Sequence, residues 1–393
     1  MSYRMHGDIP VWGEPTDPGA LEQIVRCRAT AARAAMMADH HLGYAVPIGG
    51  IVGYRDAISP SGVGYDIACG NKAVRLDLPA GEARRRIGQI MDAIVANISF
   101  GIGHTNDVRV DHELFDDPAW KLEAIAPFKS IARSQLGTVG GGNHYVDVFV
   151  DELERVWIGV HFGSRGFGFK TATWFLRRGH ASEAIHAEPL VLPLNQGLGQ
   201  DYLECMRLAG RYAYAGRDWV CARIAEMLGA RVLEEVHNHH NFAWSEEHGG
   251  ERLWVVRKGA TPAWPGQRGF VGGSMGEDAV ILEGVDHEEA VRSLRSTVHG
   301  AGRVMSRNAA RGRIDRRTGR VLSPGIITRA AMEEWVARAG VALRGADVDE
   351  APQAYKRLAD VLGHHAPSIR IIHRLRPIGV AMAGRDTVDP YRD

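Results

Sequence analysis

Apolar positions along the chain follow two different periods, each over short stretches. Ile87, Ile90, Met91, Ile94 and Ile98 recur every three or four residues, the spacing that stacks side chains on one helix face, so an amphipathic helix is expected from near Glu82. A second helical stretch is expected from about Tyr202 to Leu228. Between them, Tyr145-Val146-Asp147-Val148-Phe149-Val150 and Val156-Trp157-Ile158-Gly159-Val160 have the length and β-branched content of buried strands, joined by the acidic turn Asp151-Glu152. Both runs abut polar clusters. Polar side chains are therefore expected where strands end and loops begin, the usual place for chemistry on a rigid scaffold. Glycine-rich loops separate the elements, and no repeat, low-complexity linker or shift of composition marks a boundary. The pattern is that of a mixed α+β protein.

Composition sets the limits within which those elements must pack. The 393 residues exceed one ordinary domain, although one elaborate domain is compatible with the length. With 45% apolar and 24% charged residues the chain can bury a large core, which excludes a disordered protein. No apolar run approaches the roughly 20 residues of a membrane helix, and the start MSYRMHGDIPVWGEP lacks the layout of a signal peptide. A cytoplasmic protein that does not contact a membrane is expected. Lys plus Arg and Asp plus Glu are 47 each, so total charge argues neither for nor against a nucleic-acid partner. The four cysteines, Cys27, Cys69, Cys205 and Cys221, form no paired motif. Cys69 stands apart inside Asp66-Ile67-Ala68-Cys69-Gly70, and the other three read as core or helix residues.

Four polar clusters carry candidate chemistry: that segment around Cys69, Gly140-Gly141-Gly142-Asn143-His144, His161-Phe162-Gly163-Ser164-Arg165-Gly166, and His237-Asn238-His239-His240-Asn241. A thiolate, imidazoles and a carboxylate suit a transition ion or zinc better than magnesium or calcium. None of the spacings is a recognised short metal motif, and satisfied polar residues fit each cluster equally well. A fifth stretch, Val298-His299-Gly300-Ala301-Gly302-Arg303-Val304-Met305-Ser306-Arg307, places one imidazole among small residues and two guanidinium groups. Such a histidine suits a nucleophile that carries phosphorus, with arginines matched to phosphate oxygens, and equally a structural histidine beside a glycine turn.

Taken jointly and in order, these segments resemble the RtcB-type RNA-splicing ligases. The likeness starts at Met37-Ala38-Asp39-His40-His41-Leu42-Gly43 and runs through Gly62-Val63-Gly64-Tyr65-Asp66-Ile67-Ala68-Cys69-Gly70 and Gly137-Thr138-Val139-Gly140-Gly141-Gly142-Asn143-His144. It continues with HFGSRG from His161, HHN from His239, RKGAT from Arg257, GSMG from Gly273, HGAGRVMSR from His299 and DEAPQAYK from Asp349. The resemblance implies one compact, complex catalytic domain over residues 1–393 with mixed sheets and a deep metal-lined cleft. It implies a GTP- and manganese-dependent ligase that joins RNA 2′,3′-cyclic phosphate or 3′-phosphate ends to 5′-hydroxyl ends, in tRNA splicing or RNA repair.

Carried over by motif, His299 is the nucleophile that takes GMP, and RNA(3′)pp(5′)G is the second intermediate. Cys69 bridges two manganese ions, with His161 and His240 on one and Asp66 and His144 on the other. Arg165 and Arg303 clamp phosphates. The nucleotide lies among Asn143, Asp147, Asn241, Ser274, Met275, Gly300, Ala301, Gly302 and Tyr355. The arginines 303, 307, 311, 313, 316, 317 and 320 read equally as a solvated face and as a surface that tracks phosphates.

The chain also departs from that family pattern. Met382-Ala383-Gly384 stands where a terminal lysine–glycine pair is usual, Asp147 where glutamate is, Gly216 where asparagine is, Phe162 where serine is, and Gly272 where proline is. A divergent member acting in nucleic-acid end repair, phosphohydrolysis or DNA 3′-phosphate capping is the alternative, and a noncatalytic RNA-binding protein ranks below it.

Overall fold

The computed structural model describes residues 2–182, 184–314 and 320–384. Its centre is an eight-stranded sheet whose path runs Val232–His239, Gly70–Pro79, Arg155–Phe162, Tyr145–Asp151, Ile369–Gly384, Ala279–Gly284 and Arg268–Val271, with Ala342–Ala346 pairing alongside Ile369–Gly384. A six-stranded sheet lies beside it in the order Tyr3–His6, Ile9–Trp12, Arg33–His41, Ile48–Tyr54, Glu251–Lys258 and Asn241–His248. The architecture is mixed α+β, as the pattern of apolar runs led us to expect. No helix among the described residues is long and apolar enough to cross a membrane.

Side-chain alternation divides the large sheet into two faces with different tasks. Val146, Val148 and Val150, with Val156, Ile158, Val160 and Phe162, face a core closed by Ile90, Met91 and Ile94 of one helix and Val220, Cys221 and Ile224 of another. Those helices are Ala80–Asn97 and Gly197–Met227. Tyr145 and Phe149 pack with Trp157 and Phe270 on the opposite face. The alternation that buries the valines therefore also turns Tyr145, Asp147 and His161 towards one side of the sheet.

The elements read from the sequence are present with slightly wider bounds. Ile98 is buried but extended, one residue beyond the first helix. The second helix starts at Gly197, a full turn earlier than the apolar pattern announces, because Gly197 and Gly199 are poor helix formers that give no periodic signal. The turn between the two central strands is tied by Asp151, which accepts hydrogen bonds from the Leu153 and Arg155 backbones (2.9 Å each), Arg155 Nε (2.7 Å) and Trp157 Nε1 (2.8 Å). Cys27, Cys205 and Cys221 are buried helix residues, and all four cysteines are free thiols.

Four adjacent antiparallel strands end at the same edge of the large sheet. Their register pairs Gly70 with both His239 and Phe162, and Tyr145 with His161. The residues just past these ends, Cys69, His144 and His240, thus converge without being close in sequence. His240 is also the single residue between a strand of the large sheet and a strand of the six-stranded one. Its amide donates to the Cys69 carbonyl (2.8 Å) and its carbonyl accepts from Ala260 (3.1 Å), which fixes the corner where the chain changes sheets.

Candidate active site

Sulfur and nitrogen ligand atoms of Cys69, His144 and His161, all buried, lie within 4.8 Å of one another. His161 Nε2 is 3.2 Å from Cys69 Sγ and His144 Nε2 is 3.7 Å from it. Asp66 Oδ2 approaches His144 Nε2 at 3.0 Å. His144 Nδ1 lies 3.0 Å from the Val139 carbonyl oxygen, and its Nε2 is the nitrogen that faces Asp66 and Cys69. His240 stands outside the three-residue group, its ring centre 5.1 Å from that of His161 and 4.8 Å from that of His299, with Nδ1 buried and unpartnered among the described residues.

Electrostatics fit this cluster to a cation. Burial pushes the Cys69 thiol well above its ordinary range, and the neighbouring Asp66 carboxylate pushes it the same way. Burial, reinforced by neighbouring positive charge, holds His161 and His240 well below the usual imidazole value, so both present neutral, ligand-ready nitrogens. Burial raises Asp66, but its hydrogen bond to His144 and the charges of His144 and Arg165 outweigh that and hold it ionised. A buried thiol beside a carboxylate is a costly arrangement that a divalent cation reverses, by favouring the thiolate. The donor set suits an ion such as manganese or zinc.

His299 is held by a residue that the sequence did not single out. Asp39, fully buried, accepts through Oδ2 from His299 Nδ1 (2.6 Å), from the His299 amide (2.9 Å) and from the Gly300 amide (3.3 Å). Burial alone would raise this carboxyl, yet the charge and hydrogen bonds of His299 hold it below the usual range. The contact fixes the imidazole tautomer and leaves Nε2 as the lone-pair nitrogen. Lys356 Nζ clamps the strand on either side by donating to the Ala38 (2.9 Å) and His40 (3.0 Å) carbonyls. Gly302, at φ +78°, packs so closely on Asp39 that a Cβ there would overlap the Asp39 carbonyl oxygen.

A cleft opens beside His299. Asn143, Asp147, Ser274, Met275, Gly300, Ala301 and Tyr355 line it, together with Tyr145, Gly272 and Met382. Burial pushes the Asp147 carboxyl well above the usual range, and its Oδ1 has no partner among the described residues. Gly302 and Asn241 stand back from this lining: the Asn241 amide is spent on the Asp66 carbonyl (3.3 Å) and the Gly259 amide (2.7 Å). A larger hollow, lined by His104, Trp219, Arg223 and Arg344, shares Met382 with the cleft but contains none of the cluster residues.

The arginines divide. Arg165 is half-buried beside His144, Nη1 to Nδ1 2.9 Å, and its buried Nε has no partner among the described residues. Arg303 is engaged by the Tyr355 hydroxyl (2.9 Å), the Asp349 carbonyl (2.7 Å) and Glu350 (3.4 Å), and Arg307 pairs with Glu350 and with Asp349. The first two members of the arginine run thus point inward at carboxylates, and residues 316 and 317 lie outside the described residues. Arg217 is a further residue missed by sequence reasoning. Fully buried, it donates to the Ala68 (3.1 Å) and Phe162 (2.5 Å) carbonyls, each one residue from a member of the cluster, and to His237 (2.8 Å) and His239 (2.9 Å).

A sequence model of the family described as tRNA-splicing ligase RtcB matches residues 20–126 and 121–383. The chain belongs to the RtcB family. It is 29% identical to the RNA-splicing ligase RtcB of Escherichia coli K12, over 96% of this chain and 99% of that one. Identity to the tRNA-splicing ligases RtcB of Thermococcus kodakarensis and Archaeoglobus fulgidus is 32% and 30%, each over 88% of this chain and 86% of the relative.

Proposed function

We propose that this RtcB-family ligase joins an RNA 3′-phosphate or 2′,3′-cyclic phosphate end to a 5′-hydroxyl end, using GTP and manganese, with His299 as the covalent carrier of GMP. The observation that carries this reading is the buried Asp39 carboxylate on His299 Nδ1, adjacent to the cluster of Cys69, His144 and His161. In the first step the Nε2 lone pair attacks the α-phosphorus of GTP. An N–P bond forms, the bridging P–O bond breaks, and pyrophosphate departs with that electron pair. The RNA 3′-phosphate oxygen then attacks the same phosphorus and the N–P bond breaks, which gives RNA(3′)pp(5′)G. Attack of the 5′-hydroxyl oxygen on the RNA phosphorus forms the phosphodiester, releases GMP and gives up the hydroxyl proton. A cyclic end is first opened by water.

Two manganese ions on Asp66, Cys69, His144, His161 and His240 would polarise the phosphoryl groups and neutralise their charge. Arg165, with an unspent buried N–H, is the better placed phosphate clamp, whereas Arg303 must exchange Glu350 for phosphate before it can serve. Transfer of GMP needs little covalent help beyond positioning, which the Asp39 contact supplies for the ring. The chain should therefore seal a 3′-phosphate RNA to a 5′-hydroxyl RNA with GTP and manganese, and His299→Ala should abolish this while still sealing a pre-made RNA(3′)ppG end. Failure of the variant on the pre-made end, with its metal content intact, would contradict a role confined to loading GMP.

A further inference from the structure

Tyr145 combines two features that no step above uses. It lines the cleft beside His161, ring centres 5.3 Å apart, and its buried hydroxyl has no partner among the described residues. Buried hydroxyls are nearly always paired, so one left open in a polar cleft marks the place of a missing acceptor. The hydroxyl abuts Gly272, where a Cβ would overlap it. Gly272 in turn borders the nucleophile's turn, since a Cβ built on Gly300 would lie 3.5 Å from the Gly272 carbonyl oxygen. The missing side chain at 272 is thus what makes room for a phenol oxygen next to the His299 segment. In the strand register Tyr145 pairs with Met382, also in the cleft lining, so its face of the sheet is the one towards the site.

We propose that the Tyr145 hydroxyl donates a hydrogen bond to a phosphoryl oxygen of the group that passes through His299, and that Gly272 is the specificity-determining partner that admits it. This assignment deepens the function proposed above and rests on it. The ligand class is a phosphate ester bearing anionic oxygens, either the α-phosphate of the nucleotide or the RNA terminal phosphate. A phenol ordinarily ionises near pH 10 and is therefore an O–H donor at neutral pH. No proton is transferred in this role.

Tyr145→Phe, Gly272→Ala and the double variant test the pair, each assayed for covalent labelling by α-labelled GTP with manganese, for sealing of RNA(3′)ppG, and for thermal midpoint. Loss of a hydrogen bond to a charged oxygen should slow labelling by Tyr145→Phe roughly 10- to 100-fold, with a smaller change in the GTP concentration needed for half-saturation. Gly272→Ala should lose a similar factor by displacing the phenol, and the double variant should lose no more than Tyr145→Phe alone. Because the hydroxyl has no protein partner, Tyr145→Phe should not lower the thermal midpoint. Slowing confined to labelling identifies the nucleotide phosphate, and slowing of both reactions includes the RNA phosphate. Labelling at the wild-type rate by Tyr145→Phe, multiplied losses in the double variant, or a lowered midpoint overturns this assignment alone. A wild-type protein that takes no label overturns the underlying function as well.

Discussion

Replacing Asp39 by asparagine isolates the charge behind His299 from its geometry. The amide oxygen can still accept from Nδ1 and from the His299 and Gly300 backbone, the three contacts that Oδ2 makes at 2.6, 2.9 and 3.3 Å. What disappears is the negative charge beside the ring. Attack through Nε2 gives a ring that carries phosphorus on one nitrogen and hydrogen on the other, hence a positive charge. Opposite charges about 4 Å apart interact by about 4 kcal/mol at an effective dielectric constant of about 20, which is roughly a thousandfold in rate. Single-turnover labelling with α-labelled GTP should therefore slow by about 10³ in Asp39→Asn. The carboxyl is held below its ordinary value near 4, so it stays ionised above that pH and the ratio of wild-type to variant rates should be flat from about pH 5 to 9. A rate within tenfold of wild type would refute the idea that the buried charge drives the step.

Three further outcomes follow from other contacts. Cys69→Ala should lower manganese content at both sites while His144→Ala mainly empties one, as counted by mass spectrometry; equal losses would remove the grounds for a bridging thiolate. Met382→Lys should sharpen GTP over ATP in competition labelling by about 1 to 3 kcal/mol, the range of a charge-assisted hydrogen bond; position 382 is chosen because Met382 lines the cleft, whereas strand alternation sets Ala383 with Ala381 on the helix-covered face. Asp151→Ala should cost about 3 kcal/mol in denaturant unfolding at pH 7, since it strips a buried carboxylate from four donors, the Trp157 indole N–H among them. Burial raises this carboxyl, but its indole, backbone and Arg155 hydrogen bonds hold it below the usual range, so its stabilisation is present above about pH 4 and the gap between wild type and variant should shrink as pH falls further.

Much of the scaffold was legible because its signals are local. Three- and four-residue spacing marked the helix that buries Ile90, Met91 and Ile94, and the β-branched content of the run from Tyr145 to Val150 marked a central strand. Cys69, His144 and His161 were legible as chemistry because glycine-rich loops bracket them, although their convergence depends on strand register that no local pattern encodes. Asp39 stood in the first of the quoted motifs, but its contact with His299 was not legible. It lies 260 positions from His299, and the fold brings the two together, with Gly302 packed onto the Asp39 backbone. Arg217 likewise reads as one more helix residue until the fold sets Ala68 and Phe162 against it. Arg303 and Arg307 show the converse: their pairing with Asp349 and Glu350, distant in sequence, is not legible in the basic run itself.

The most direct test of the central claim is to find where the nucleotide goes. The wild-type chain, incubated with manganese and α-labelled GTP, is digested and the labelled peptide sequenced, and a parallel sample is chased with RNA bearing a 3′-phosphate. The account predicts an acid-labile, base-stable label on His299 that moves to the RNA end during the chase. Label on any other residue, or a His299 label that the RNA cannot discharge, would contradict it.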